Sequence, residues 1–219
     1  MRFDAVLFDL DGTLVDSAPD LAGALNELRV RDGLAELAYA QLRPLAGAGA
    51  RGMLGAGYGL SPQDAEFARM RDDFIARYRE RLLRASTVFD EVPELLERID
   101  RAGHPWGLVT NKALSLADPL LSGLQLRHRA TVLVGGDSTP HTKPHPAPLL
   151  HAAAGMGCNP ARCVYIGDDE RDVQAGRAAG MATVVALWGY LGNGRPVADW
   201  GADHFADSPG SLLKWLDLA

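Results

Sequence analysis

Two carboxylates near the start of the chain are candidate catalytic groups. The stretch VLFDLDGTLVDS, residues 6–17, places Asp9 and Asp11 one residue apart, directly after an apolar run. The same letters also match a β-hairpin, because apolar runs flank an Asp-Gly dipeptide that suits a two-residue turn. From this stretch alone, two interpretations remain open: a hairpin, or a strand that ends at a catalytic loop.

Polar residues also follow three later apolar runs. They are Thr110 and Asn111 at the end of 106–110, Lys143 in a loop beyond 131–135, and Asp168 and Asp169 after 163–167. Ligands of open parallel sheets bind outside the carboxyl ends of the strands. We therefore predict that these residues converge with Asp9 at one edge of a sheet. Ser17 and Pro19 also suit the start of a helix, which favours the catalytic loop over the hairpin.

This set of residues suits phosphoryl transfer. Asp9 and Asp168 can hold Mg²⁺, a hard cation that prefers oxygen ligands and a substrate phosphate oxygen. Thr110 and Lys143 can bind the remaining phosphoryl oxygens, where charge must be stabilised. Asp9 can then attack phosphorus, and Asp11 can transfer protons to the leaving oxygen and from water.

The spacing of strands and helices predicts the fold that positions these residues. Short apolar runs occur at 4–8, 106–110, 131–135, 163–167 and 183–187. From the second run onward, helical or loop segments separate them, such as the helices predicted at 90–103 and 171–181. Apolar strands that alternate with helices indicate an α/β fold with a doubly wound parallel sheet.

Residues 18–85 interrupt this pattern. The segments 20–30 and 65–83 are helical in period, and a Gly-rich stretch lies between them. We predict a core of residues 1–17 and 86–219, with residues 18–85 inserted as a helical domain after the first strand.

Composition and charge exclude several classes of partner. The formal net charge of −6 argues against binding to nucleic acid or to an anionic membrane. The first residues match no signal peptide, and no stretch approaches the roughly 20 apolar residues of a membrane span. We expect a cytoplasmic protein whose partner is a small metabolite.

Four segments resemble the motifs of a known superfamily. DLDGTLVDS, VTNK, KPHP and YIGDDERD are similar, in this order, to the motifs of haloacid dehalogenase superfamily phosphotransferases. The resemblance implies Asp9 as nucleophile, Asp11 as acid/base and as metal ligand through its backbone carbonyl, Thr110 and Lys143 as phosphate binders, Asp168 as Mg²⁺ ligand, and Asp172 and Asp169 as supports of the metal site. It also makes 18–85 a cap that closes over the active site. Dehalogenation is not expected, because the dehalogenases of this group lack the second aspartate.

The resemblance also narrows the expected substrate. The chain looks most like the phosphoglycolate-phosphatase-like branch. The longer strings KPHPAPLLHAA and CVYIGDDERDVQAGRAAGM resemble the N-acetylmuramic acid 6-phosphate phosphatases of cell-wall recycling. Phosphoglycolate hydrolysis and a sugar phosphomutase are alternative activities. A phospho-signalling receiver domain also uses aspartates, a threonine and a lysine, but the order of motifs and the large insertion favour the enzyme.

The Gly-rich stretch GAGARG, residues 47–52, has two interpretations. It matches the pattern GxGxxG, but no strand precedes it, so a dinucleotide site is not expected. One interpretation is a turn between cap helices, with Arg51 in solvent. The other is a loop that faces the active site, in which Arg51 contacts an anionic group of the substrate. Asn111, at the end of the 106–110 run, is also expected to bind the substrate.

Overall fold

A parallel β-sheet forms the centre of the protein, whose residues 3–218 are described by a computed structural model. In chain order the strands are β1 (Ala5–Phe8), β2 (Val15–Asp16), β3 (Thr87–Val88), β4 (Trp106–Val109), β5 (Val132–Val134), β6 (Cys163–Gly167), β7 (Ala182–Ala186) and β8 (His204–Ala206). The main sheet has the order β5-β4-β1-β6-β7-β8, and its neighbouring strands are parallel. β2 and β3 form a separate antiparallel ribbon.

Strand β1 shows why the sheet is parallel and covered on both faces. Val6 and Phe8 belong to one apolar cluster, whereas Ala5 and Leu7 belong to another. Successive side chains of a strand point to opposite faces, so both faces of β1 are buried. This burial accounts for the continuous apolar sequence and confirms the predicted doubly wound α/β fold.

Helices cover the sheet and build the insertion. They are α1 (Ala18–Arg31), α2 (Tyr39–Leu42), α3 (Gly49–Tyr58), α4 (Phe67–Arg81), α5 (Val92–Arg101), α6 (Leu114–Gly123), α7 (Ala147–Gly155), α8 (Glu170–Ala178) and α9 (Pro209–Trp215). Apolar residues of α5, α6 and α9 pack on one face of the sheet, and those of α7 and α8 pack on the other. None of the helices within 3–218 has the length and apolar character needed to cross a membrane.

The loop after β1 is a closed turn rather than a hairpin. Gly12 donates its backbone N–H to Val15 (2.9 Å), and Val15 donates to Leu10 (2.9 Å). Gly12 has a φ of +91°, a conformation that favours glycine. Val15 then pairs with Val88 of β3, so the hairpin interpretation is wrong.

Helices α1 to α4, which we call the cap helices, lie within the predicted insertion. A carboxylate secures the two chain crossings between them and the sheet: Asp20 accepts hydrogen bonds from the backbone N–H groups of Ala85 (2.9 Å) and Ser86 (2.8 Å). The division into domains at 17/18 and 85/86 stays a prediction, and residues 1, 2 and 219 lie outside the described part of the chain.

The bounds of most predicted elements differ from those in the structure by one to three residues, and one strand of the main sheet was not predicted. The helix predicted at 90–103 spans 92–101, and the strand predicted at 183–187 spans 182–186. Strand β8 was not predicted, since two of its three residues are only partly buried and the apolar signal is correspondingly weak.

Candidate active site

A cavity of about 300 Å³ lies between the carboxyl edge of the sheet and the cap helices. Eight of the predicted site residues line it: Asp9, Asp11, Thr110, Asn111, Lys143, Asp168, Asp169 and Asp172. Seven of them come from the loops after β1, β4, β5 and β6, and Asp172 lies in the first turn of α8. The convergence expected from a parallel sheet is therefore present in the structure.

Asp9 follows β1 directly and is buried at the base of the cavity. The Lys143 ammonium lies 2.8 Å from Asp9 Oδ1, although the two groups are not aligned as a hydrogen bond. Burial raises the pKa of Asp9 to about 7, and the attraction of Lys143 opposes this shift. Asp9 thus has a buried oxygen that is suited to a further cationic or electrophilic partner.

Lys143 connects strands β4 and β6 with helix α8. Its Nζ lies 2.7 Å from Asp172 Oδ1, and it donates hydrogen bonds to the Val109 carbonyl (3.0 Å) and the Tyr165 hydroxyl (2.7 Å). Burial favours the neutral amine, but Asp172 and Asp9 outweigh this effect and raise the pKa of Lys143. The ammonium is therefore held charged at the base of the cavity.

Asn111 positions Lys143. Its side-chain amide donates to the Lys143 carbonyl and accepts from the Lys143 N–H, each at 3.0 Å. In the structure the Asn111 amide therefore contacts the loop that carries Lys143, and its predicted contact with the substrate stays a prediction. The nearby Thr110 is buried, and its hydroxyl accepts a hydrogen bond from the Lys112 N–H (3.1 Å).

Asp168 lies against the loop after β1. Its oxygens accept hydrogen bonds from the Thr13 hydroxyl (3.1 Å) and the Tyr190 N–H (2.8 Å). Burial, with the charges of Asp9 and Asp172, raises the pKa of Asp168 well above its ordinary value. A Cβ at Gly12 would lie 2.1 Å from Asp168 Oδ2, so the approach of this loop requires glycine.

The buried carboxylates fit a divalent cation. Oxygen atoms of Asp9, Asp168 and Asp172 lie within 4.8 Å of one another. Lys143 forms ion pairs with two of these groups, Asp9 and Asp172, and three buried carboxyl groups are costly to ionise without further positive charge. An all-oxygen donor set of this kind suits Mg²⁺.

Asp11 has different partners from Asp9. Its carboxylate accepts a hydrogen bond from the Ser17 hydroxyl and lies 3.0 Å from the Lys112 ammonium. Lys112 also donates a hydrogen bond to the Tyr78 hydroxyl of α4 (2.9 Å). The Asp11 side chain is thus engaged toward the cap, which leaves its backbone carbonyl for the metal role that the resemblance implies.

Asp169 begins α8 and orients an arginine. Its carboxylate contacts the Arg171 guanidinium at two points, at 2.7 and 2.8 Å, and Arg171 also donates to the Gly47 carbonyl (2.8 Å). Asp172 closes a reciprocal capping box with Asp169. Through Arg171, the acidic loop is tied to the cap.

Tyr190 connects Asp168, a candidate metal ligand, to the start of α1, where the chain first leaves the sheet for the cap helices. Its hydroxyl accepts hydrogen bonds from the N–H groups of Ser17 (2.8 Å) and Ala18 (2.9 Å) and donates to Asp16 (3.0 Å). Its own N–H binds Asp168, as described above. Lys112, Arg171 and Tyr190 were missed by the sequence analysis, although Lys112 and Arg171 lie within the motif strings VTNK and YIGDDERD.

Arg51 lies apart from these residues. Its neighbours 47–50 line the cavity, but Arg51 is exposed on α3 and is not among the lining residues. Each helical residue rotates about 100° around the axis, so Arg51 faces a different direction from Gly49, where the helix begins. Its role in substrate binding stays a prediction.

Comparison with known proteins identifies the family. Residues 6–186 match the family described as haloacid dehalogenase-like hydrolase. The chain is 41% identical over 219 residues to N-acetylmuramic acid 6-phosphate phosphatase of Pseudomonas aeruginosa, covering 100% of this chain and 97% of the relative. It is 46% identical over 216 residues to phosphoglycolate phosphatase of Xanthomonas campestris pv. campestris, covering 98% and 97%.

A solved structure shares this fold along the whole chain. It is titled a predicted phosphoglycolate phosphatase from Haemophilus somnus, with a TM-score of 0.87, 29% identity and 99% coverage of both chains. The protein belongs to the haloacid dehalogenase-like hydrolase family. The phosphatase names of its relatives confirm the prediction of an enzyme of the phosphatase class.

Proposed function

We propose that the protein is a Mg²⁺-dependent phosphatase that hydrolyses N-acetylmuramic acid 6-phosphate through an aspartyl-phosphate intermediate on Asp9. The observation that supports the chemistry is the position of Asp9, buried at the base of a cavity and 2.8 Å from the Lys143 ammonium. A nucleophile beside a fixed cation is what attack on an anionic phosphate requires.

The reaction has two steps. A carboxylate oxygen of Asp9 forms a bond to phosphorus while the bond to the sugar oxygen breaks, and Asp11 gives that oxygen a proton. Asp11 then removes a proton from water, whose oxygen bonds to phosphorus and releases inorganic phosphate and Asp9. Thr110 and Lys143 bind the phosphoryl oxygens throughout.

The metal role falls to Asp9, Asp168 and Asp172, with the backbone carbonyl of Asp11. When bound there, Mg²⁺ supplies positive charge that offsets the repulsion between the Asp9 carboxylate and the phosphate. Lys143 holds Asp9 and Asp172 in place by its two ion pairs.

Two observations support the amino-sugar substrate. Relatives from Pseudomonas aeruginosa and Pseudomonas putida, 41% and 35% identical, are named N-acetylmuramic acid 6-phosphate phosphatases. The wall of the cavity at residues 46–50 also consists of alanine and glycine, which leaves space beside the phosphate site. A volume of about 300 Å³ lies within the range of roughly 300 to 1,000 Å³ that small-molecule pockets occupy.

Phosphoglycolate is the second candidate substrate, because the relative that is 46% identical is named a phosphoglycolate phosphatase. A phosphomutase is not favoured by any residue described above. The receiver domain is not supported, since residues 6–186 match a hydrolase family and the cap helices interrupt the sheet. The cytoplasmic location stays a prediction.

The test is the release of phosphate from both compounds, with Mg²⁺ and with Asp9→Asn as the blank. We expect kcat/KM for N-acetylmuramic acid 6-phosphate to exceed that for phosphoglycolate at least tenfold. The reverse preference would assign the enzyme to phosphoglycolate, and turnover by Asp9→Asn above about 1% of the wild type would reject Asp9 as nucleophile.

A further inference from the structure

Three cationic side chains line the cavity among the described residues: Lys112, Lys143 and Arg171. Lys143 is bound to Asp9 and Asp172 at the base. Arg171 forms a two-point contact with Asp169. Lys112 belongs to neither group, because it lies on the side of the cavity where the core meets the cap.

The surroundings of Lys112 form a small polar site in a largely apolar wall. Its side chain is only 7% exposed, and its Nζ lies 3.0 Å from Asp11 Oδ2 and 2.9 Å from the Tyr78 hydroxyl. The Nζ is also 4.5 Å from the centre of the Tyr78 ring. An ammonium has three N–H donors, and Asp11 and Tyr78 account for two of them.

We propose that Lys112 binds a carboxylate of the substrate and so selects phosphomonoesters that carry this second anionic group. The proposal rests on the proposed phosphatase function, and it names the substrate class of the same site. Lys112 follows Thr110 by two residues, so their Cα atoms are at most about 7 Å apart. A substrate whose phosphate reaches Thr110 and Asp9 can therefore present a nearby carboxylate to Lys112.

The chemistry of both candidate substrates fits this position. N-acetylmuramic acid 6-phosphate carries a lactyl carboxylate, and phosphoglycolate carries a carboxylate on its single methylene carbon. A buried, charged donor forms stronger hydrogen bonds to carboxylates than an exposed one. Lys112, rather than the exposed Arg51, is the cation placed to receive this group.

The test uses two pairs of substrates whose members differ in the carboxylate. N-acetylmuramic acid 6-phosphate is compared with N-acetylglucosamine 6-phosphate, which lacks the lactyl group, and phosphoglycolate is compared with ethyl phosphate. For each pair, the ratio of kcat/KM values measures the preference for the carboxylate. The variants are Lys112→Gln and Lys214→Gln, a matched loss of charge at an exposed lysine of α9.

We expect the wild type to favour the carboxylate-bearing member of at least one pair by more than tenfold. Lys112→Gln should lower that preference by about 10- to 100-fold, the worth of a hydrogen bond to a charged group. Lys214→Gln should leave it within twofold of the wild type. Circular dichroism and thermal unfolding establish that each variant is folded.

Two outcomes would overturn the role of Lys112. One is an equal loss by Lys112→Gln on both members of a pair, which would show that Lys112 acts only through Asp11. The other is the absence of any carboxylate preference in the wild type, a result that needs no variant. If Lys112→Gln does not fold, Tyr78→Phe removes the hydroxyl that holds Nζ and must lower the preference at least threefold.

Failure of the proposed function gives a different result. Activity on phosphoglycolate alone would reject the amino-sugar substrate, while the phosphoglycolate pair would still decide the role of Lys112. Activity on p-nitrophenyl phosphate with none of the four compounds would reject both the substrate and the selection by Lys112, and would leave the phosphatase chemistry standing.

Discussion

The base and the roof of the cavity differ in chemistry. The base, formed by the loops after the strands, contains buried charged groups such as Asp9, Lys143 and Asp168, which contact one another or the backbone. The roof, formed by the cap helices and the segment between α2 and α3, contributes Leu21, Phe74 and a run of alanine and glycine. The reaction therefore depends on the charged groups at the sheet edge, whereas the space for the rest of the substrate depends on the cap.

The two regions are also held in place differently. Asp9 and Asp168 directly follow buried strands, so the hydrogen bonds of the sheet define their positions, whereas Lys143 is held by its hydrogen bonds with Asn111. The roof is joined to the base by side-chain contacts, including Arg171 to Gly47 and Arg43 to the carbonyls of Trp188 and Gly189. Substitutions in the base should therefore affect the rate of the reaction. Substitutions at the junction, where the roof contacts the base, should affect the free energy of unfolding.

The largest effect is expected at the base. Asp9→Asn should lower kcat by at least about 10⁴-fold, because an amide does not replace the nucleophilic carboxylate. Phosphate release measures the loss, and thermal unfolding should show no loss of stability. Asp4→Asn, at the exposed opposite end of β1, should change kcat less than twofold. Residual activity of Asp9→Asn above about 1% of the wild type would exclude the covalent mechanism.

The same variant tests the electrostatics of the base without Mg²⁺. The pKa of Asp9 is raised from 3.8 to about 7 by burial, so the folded protein retains a proton that the unfolded chain loses. The stability that goes with the protonated Asp9 carboxyl is fully present below pH 4 and is lost as the pH rises through 7. Between pH 4 and pH 8, the free energy of unfolding of the wild type should therefore fall by up to about 4 kcal/mol relative to that of Asp9→Asn.

Urea unfolding in EDTA at several pH values measures this difference. The asparagine variant does not titrate at this position, so it serves as the reference for the wild type. A difference in stability that stays constant from pH 4 to pH 8 would contradict the raised pKa of Asp9.

Removal of the divalent cation should have the next largest effect. EDTA should lower activity at least about 100-fold, and Mg²⁺ should restore it, because Asp9, Asp168 and Asp172 form a buried carboxyl cluster in which Lys143 pairs with Asp9 and Asp172. Asp168→Asn should raise the Mg²⁺ concentration needed for half-maximal activity about tenfold or more. Full activity in EDTA would reject the metal assignment.

The smallest effect is expected where the core meets the roof. Tyr190→Phe removes the acceptor of the buried N–H groups of Ser17 and Ala18, at a cost of about 1–3 kcal/mol in the free energy of unfolding. Tyr39→Phe, at an exposed tyrosine, should cost less than about 0.5 kcal/mol. Equal stability of the two variants in urea would show that the Tyr190 hydroxyl does not secure the start of α1.

Most of the base could be predicted from the sequence. β1 is a continuous apolar run because both of its faces are buried, and its carboxyl end is therefore visible in the letters that precede Asp9. The rule that parallel strands end at one edge then brings Thr110, Lys143 and Asp168 to the same place. The resemblance to known motifs added their expected roles.

Residues at the junction could not be predicted in this way. Tyr190 binds the N–H of Ser17, which is 173 residues away in the sequence, and no local pattern reports such a pair. Asn111 contacts Lys143, 32 residues later, where the sequence suggested a contact with substrate. Helical periodicity predicted helices in 18–85, but it did not show which way Arg51 would face.

The sequence by itself determined the layered α/β architecture and the polar groups at the sheet edge, because burial and strand polarity leave periodic patterns in the chain. Only the tertiary structure decided that Lys112 lies between Asp11 and Tyr78 and that Arg51 lies outside the cavity lining. The physical reason is that these positions depend on how the cap helices pack over the sheet. That packing is set by side-chain contacts between segments far apart in the chain.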